Sequence, residues 1–194
     1  MALITMPSTP AFVKSRWSMA RAVASSKSPF TGHEQIYSYD MACWQATMTL
    51  PPMKRAQAGA WQAFFMLLKG RANTFLLGDP DGKSPQGGAT TCSVASTGAI
   101  EATSISLTLN GTVKAGDYVQ FGTGATSQLH MITADANAGT VTVSIEPALK
   151  VAVGTGTASV LNTACVMRMD DNKLGWDADH VSKYGFSFSC TEAL

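Results

Sequence analysis

Acidic side chains are the first place to look for chemistry in this chain. Asp79 and Asp81, in Gly78-Asp79-Pro80-Asp81-Gly82, begin like a calcium loop. Such a loop needs further oxygen ligands at alternate positions and a glutamate at its twelfth. Position 90 is threonine, so the segment reads as an aspartate-glycine turn. Asp170, Asp171, Asp177 and Asp179 form a second acidic group, interrupted by Asn172, Lys173 and Trp176. Turn-forming and partner-contacting carboxylates account for it better than a metal site does. The three histidines, His33, His130 and His180, have no second histidine at ligand spacing.

Nucleophiles fare no better. Cys43, Cys92, Cys165 and Cys190 are far apart and form no CxxC pair. With no export signal before them, the expectation is reduced, partly buried thiols, the alternatives being a disulfide framework or a zinc site. The glycine-rich pieces Gly122 to Thr126 and Gly154 to Thr157 lack the lysine-serine or lysine-threonine ending of a phosphate loop and read as hairpin turns. No serine stands in a G-x-S-x-G setting, and no acid pair suggests a cell-wall hydrolase. The expectation is a non-enzyme with no catalytic, cofactor-binding or metal-binding residues.

Composition points to a structural role. Only 14% of the residues are charged, against about 25% in ordinary soluble domains. A surface so poor in charge suits contact with other protein. The net charge of +1, without a run of lysine or arginine, leaves no electrostatic footprint for nucleic acid. Ala60 to Leu68 is the longest mostly apolar stretch, too short for a bilayer, which needs about 20 residues. Met1, Leu3, Ile4 and Met6 follow no basic n-region, so neither a secretory signal nor membrane insertion is expected.

These side chains must be carried by a mainly β, α+β fold. Residues 1–15 read as an arm or edge strand, and a strand follows from Arg16. After the Ser25 to Gly32 loop comes a longer strand, Ile36 to Leu50. Its first half is apolar on both faces, with Ile36 and Ala42 on one and Tyr37, Tyr39, Met41 and Cys43 on the other. That half is expected to be buried on both sides. Pro51 and Pro52 are placed to open a helix over about 54–69, with Ala58, Trp61, Phe65 and Leu68 as its stripe. Ala60, Phe64 and Leu67 widen the stripe, and Gly70 stands at the C-cap. Phe75 to Leu77 is a short strand, and Lys83 to Gly98 a linker or long loop.

The character then changes. Ile105, Leu107 and Leu109; Tyr118, Val119 and Phe121; Leu129, Met131 and Ile132; and Val141, Val143 and Ile145 mark short strands at roughly ten-residue spacing, divided by glycine turns. They predict a small β-barrel or sandwich over 96–160, inserted into a β-sandwich with one flanking helix formed by 1–95 and 161–194. The final strand, Gly185 to Cys190, alternates Phe186, Phe188 and Cys190 with serines, which suits a sheet whose second face meets water or a lumen.

Several of these stretches are similar to one family. Phe64-Phe65 through Phe75-Leu76-Leu77-Gly78-Asp79-Pro80, then Val113 to Gly122, and Ala134 to Gly139 leading to Ile145-Glu146-Pro147-Ala148-Leu149, resemble distal tail and minor tail proteins of long, non-contractile-tailed bacteriophages (siphophages). The resemblance runs from Trp44 to the C-terminus and rests on strand and turn signatures. It implies a virion structural protein: one subunit of a homo-oligomeric ring, typically a hexamer, joining the tail tube to the tail tip or baseplate. The host domain would be a tail-tube-like β-sandwich, and the second domain a barrel-like or galectin-like unit facing outwards. In this chain the second domain interrupts the host strands instead of following them. Tail-tube protein would meet one face and hub or tip proteins the other, and viral DNA would pass through the lumen without specific binding. Assembly would take place in the cytoplasm of the host bacterium. The residues 1–15 arm and the Gly78 to Gly98 loop are the expected ring contacts, with Ser187 and Ser189 facing the lumen. The alternatives are a tail-tube or tail-completion protein, or a carbohydrate-binding module in which Tyr118, Phe121 or His130 stacks on sugar.

Overall fold

The computed structural model describes residues 1–173, 175–178 and 183–194. In chain order its elements are β1 (Leu3–Ile4), β2 (Lys14–Lys27), β3 (Glu34–Thr49), β4 (Met53–Lys54), α1 (Arg55–Leu68), β5 (Thr74–Leu77), β6 (Cys92–Val94), β7 (Ser104–Leu109), β8 (Tyr118–Phe121), β9 (Gln128–Ile132), β10 (Gly139–Glu146), β11 (Gly156–Ser159), β12 (Cys165–Met169), β13 (Asp177–Ala178), β14 (Lys183–Gly185) and β15 (Ser187–Glu192). A single 3-10 turn, Gly124–Thr126, joins β8 to β9. The chain is mainly β with one α-helix among the described residues, as its alternating patterns predict.

The first unit is a six-stranded sheet ordered β1-β5-β12-β15-β3-β2, antiparallel except where β1 runs parallel to β5. One face is covered by α1 and by a short three-stranded sheet, β13-β14-β4. The core between the layers is aromatic: Trp61, Phe64 and Phe65 of α1 meet Phe75, Phe186 and Phe188 of the sheet side. Each such ring taken out of water contributes roughly 1.5–3 kcal/mol. The N-terminal segment crosses this face. Phe12 packs edge-on against Trp61 and Phe188, and Trp61 Nε1 donates to the Thr9 carbonyl at 3.1 Å. The residues 1–15 arm therefore lies on its own domain.

Helix α1 departs from its sequence reading in three respects. Pro51 and Pro52 lead into β4, so the helix starts at Arg55. The left-handed residue at its end is Lys69 (φ 51), whose N–H bonds the Met66 carbonyl, with Gly70 following at φ 65. Ala58, Trp61, Phe64, Phe65 and Leu68 are buried, whereas Ala60 and Leu67, expected to widen the buried stripe, face outwards.

A larger correction concerns β3. Its second half alternates buried Ala42, Trp44, Ala46 and Met48 with more exposed residues and sits between β15 and β2. Its first half is not buried on both sides: every residue from Glu34 to Met41 is exposed. The reason is that its neighbours stop short: the barrel covers β3 as far as Trp44, and β15 is shorter still. Strand β15 pairs with β3 only from Thr49 to Gln45, so beyond that point β3 has β2 alone beside it. The two strands continue as a free hairpin, turned at Ser28 to His33, where the Ser28 N–H bonds the His33 carbonyl and the Gly32 N–H bonds the Ser28 carbonyl.

The second unit is a closed six-stranded antiparallel barrel, β10-β7-β6-β11-β8-β9. Ile105, Leu107, Leu109, Val143 and Ile145 point into its core, while Ser104, Thr108, Thr140, Thr142 and Ser144 are exposed. It begins at β6, within the stretch read as linker and ahead of the boundary at residue 96, and Ala89 already belongs to its core. Gly122 shows why its tight turn needs glycine: at φ 74, an added Cβ would stand 2.3 Å from the Thr126 carbonyl oxygen.

Candidate interaction surface

The residues that sequence chemistry singled out are dispersed, and most serve the fold. Asp79 accepts a hydrogen bond from the Tyr118 hydroxyl at 3.1 Å and one from the Asp81 N–H at 3.2 Å, so the aspartate-glycine turn also ties the first unit to the barrel. Asp170 accepts from the Thr191 hydroxyl at 2.6 Å, and Asp171 from the Lys173 N–H at 2.9 Å. Asp177 is exposed on β13. Asp179 and His180 lie outside the described residues. Among the described residues, no group of three His, Cys, Asp or Glu side chains is placed to hold a metal ion.

All four cysteines are free thiols, with Cys165 and Cys190 buried and Cys43 and Cys92 half-buried. Burial pushes Cys92 up to about 11 and Cys190 up to about 12, and raises Cys165 well above the ordinary thiol value. Cys92, Cys165 and Cys190 are therefore protonated at neutral pH and poor nucleophiles.

The residues proposed for sugar stacking are internal. Phe121 and His130 are fully buried and Tyr118 is 8% exposed. Tyr118 packs edge-on against Trp44, with ring centroids 5.9 Å apart. Desolvation by burial, followed by the Asp79 carboxylate, raises its hydroxyl pKa. His130 Nδ1 donates to the Pro147 carbonyl at 2.7 Å, and burial depresses the ring to about 4. None of the three offers a face to a ligand.

These contacts belong to a docked junction between sheet and barrel. Trp44 Nε1 donates to the Leu129 carbonyl at 2.8 Å, and Leu129 and Tyr118 of the barrel are members of the first unit's core. Two ion pairs cross the same boundary, Arg21 to Glu146 at 2.6 Å and Lys150 to Glu192 at 2.5 Å. Between them opens a cleft of about 490 Å³ lined by residues of β2, β3 and the barrel loops. A smaller groove of about 260 Å³ lies under the N-terminal segment, beside Phe12, Trp61, Leu77 and Pro80.

Among the described residues, two further surfaces stand out. One is the hairpin, which exposes Ile36 at 69%, Tyr37 at 71%, Tyr39 at 56% and Phe30, at its tip, at 96%. Tyr37 and Tyr39 lie together on one face, ring centroids 5.8 Å apart, and Ile36 on the other; apolar side chains set singly on a surface are ordinary, whereas grouped ones mark an interaction site. The other is the open face of the six-stranded sheet. Ser187 is exposed and Ser189 half-buried, and Ser189 shares a 3.0 Å hydroxyl contact with Thr47. Lys14 and Arg16 stand on the β2 side, opposite Thr49 and Thr47. The serines thus lie outside the core. The alternation of the last strand carried that signal; for the hairpin, the signal was the double-sided apolar run, read as burial.

Among the described residues, no helix is long and apolar enough to cross a membrane. No family model matches this chain, and no curated protein is similar to it.

Proposed function

We propose that this protein is a structural virion component, a distal tail ring subunit that connects the tail tube of a siphophage to its tip. The observation that carries the reading is the uncovered hairpin of β2 and β3. Tyr37, Tyr39, Ile36 and Met41 are each more than half exposed on an element that has no core of its own. Such an arm is stable when it lies on a neighbour, and identical neighbours related head to tail form a ring when the rotation between them closes. The low charge of the chain supports the same reading, because interfaces between subunits are depleted in charged side chains.

The open hydroxyl face, bordered by Lys14 and Arg16, suits the wall of a passage: polar enough to stay wet and too weakly basic to hold phosphate tightly. In this reading the barrel, docked through Trp44, Glu146 and Glu192, is a rigid outward platform for tip proteins. The carbohydrate-binding alternative has lost its three residues to the core.

The test is the mass of the purified protein by light scattering, followed by negative-stain imaging. Closed rings with a central hole are expected. Long stacked tubes would favour a tail-tube protein instead, and a monomer at every accessible concentration would overturn the ring.

A further inference from the structure

The cleft between the base of the hairpin and the barrel departs from regular backbone on both sides. On the sheet side β3 bulges. Arg21 pairs with Ala42 and Val23 with Ser38, so Tyr39, Asp40 and Met41 together stand opposite Ala22 alone. Bulges re-aim side chains that a regular pleat would send to alternate faces, and all three of these residues line the cleft. On the barrel side the lining includes Ile100 and Glu101, the central residues of a turn in which the Ala102 N–H bonds the Ala99 carbonyl at 3.2 Å. Glu101 has φ 68, in the left-handed region that glycine enters without cost. A carboxylate therefore occupies a position that local backbone preference would give to glycine.

The charges of the lining do not balance. Its two cations are engaged: Arg21 holds Glu146 at 2.6 Å, and Lys150 holds Glu192 at 2.5 Å. The second oxygen of that glutamate, Oε1, is buried without a hydrogen-bond partner among the described residues. Asp40 and Glu101 are exposed, and neither forms an ion pair among the described residues. The cleft thus carries uncompensated negative charge from both units. Beside these acids Tyr39, Met41 and Ile100 are each more than half exposed. The volume of about 490 Å³ lies within the roughly 300–1,000 Å³ of ligand pockets, which favour the junctions between domains.

We propose that this cleft binds an alkylammonium group, a charged amine on an apolar stem. The ammonium is taken by Asp40 and Glu101, one carboxylate from each unit, and the stem lies on Met41 and Ile100. The Tyr39 ring serves both parts, since an aromatic face attracts a cation as well as a methylene chain. A fully hydrated small cation would leave the apolar side chains exposed, and an anion would meet the carboxylates. The same chemistry is offered by a free aliphatic diamine and by a lysine side chain of a partner protein. Every lining residue comes from one chain, so the site stands whether or not copies assemble into a ring.

Isothermal titration calorimetry of the full chain at low salt tests it, with three probes: cadaverine, acetyl-lysine amide, and pentanediol as an uncharged stem of the same length as cadaverine. One amine per chain is expected to bind, more weakly as salt is added, and the diol is not. Cadaverine binding about tenfold tighter than the lysine amide would identify a free diamine as the ligand, and the reverse order a lysine of a partner; either supports the site. Glu101→Gly removes the carboxylate and relieves the left-handed backbone at once. Its urea midpoint is expected to be unchanged or higher while amine affinity falls about tenfold or more, and Asp40→Asn is expected to lose affinity likewise. Absence of saturable amine binding, a diol that binds as well as the amines, or full affinity in both variants would overturn the site and leave the ring reading untouched.

Discussion

Nζ of Lys150, in the segment after β10 of the barrel, lies 2.5 Å from Oε2 of Glu192, the last residue of β15 in the sheet. The Glu192 side chain is 1% exposed, and the same oxygen accepts the Trp44 backbone N–H at 3.0 Å. A carboxylate taken so far out of water is tolerated because a cation and a donor meet it. Of the two ion pairs that join the units, it is the more deeply buried.

Removing the cation should therefore cost more than a surface ion pair would. Lys150→Met is expected to lower stability by roughly 3–5 kcal/mol by leaving Glu192 uncompensated. Arg21→Met, which breaks the half-exposed Arg21–Glu146 pair, should cost about 1 kcal/mol or less. Urea denaturation of both variants checks the contrast, and equal losses would show that burial does not distinguish the two pairs.

His130 gives the barrel a pH dependence. Burial, aided by Lys150 nearby, holds the ring near pKa 4 against the opposing pull of the Pro147 carbonyl and Glu146. The folded value lies below the unfolded one, so the unfolded chain takes up the proton first as pH falls. The stability contribution is complete above about pH 6.5 and is lost progressively down to about 4. The loss is expected to be roughly 3 kcal/mol. His130→Leu should flatten this slope whatever it does to stability at pH 7; an unchanged slope would place the titration elsewhere.

The hairpin should be dispensable for folding. Replacing residues 24–37 by Asn-Gly closes the ladder next to the Val23–Ser38 pair with a favourable two-residue turn. Because the excised residues are nearly all exposed, the urea midpoint is expected to change by no more than the equivalent of about 0.5 kcal/mol, while assembly is abolished. A large fall in stability would mean that the arm supports its own domain.

Gly78 marks where the chain leaves β5 and passes close to the segment before β12. A Cβ there would stand 1.9 Å from the Thr163 carbonyl oxygen, a backbone atom that cannot swing away. Gly78→Ala is expected to cost about 1–3 kcal/mol through forced backbone displacement. Thermal unfolding provides the measurement, and a neutral substitution would show that the two segments can part freely.

Local patterns determined much of this protein in advance. Period-two alternation in β7, β10 and β15 announced which side chains face inwards, and glycine turns announced the barrel, because pleat and turn geometry act between residues close in sequence. The failure of Asp79 and Asp81 to complete a calcium loop was equally legible, and the structure gives Asp79 a turn and a Tyr118 hydroxyl to hold. What tertiary structure alone decided is which apolar faces are covered. Tyr37 and Trp44 sit on one strand and look alike in sequence, yet Trp44 is buried against Leu129 and Tyr118 of the barrel while Tyr37, past the reach of both β15 and the barrel, stands clear. Leu67 and Leu68 are adjacent on α1 and differ only in the side of the helix that meets the sheet. Burial is a property of where distant segments stop, and strand and helix periodicity carry no record of that length.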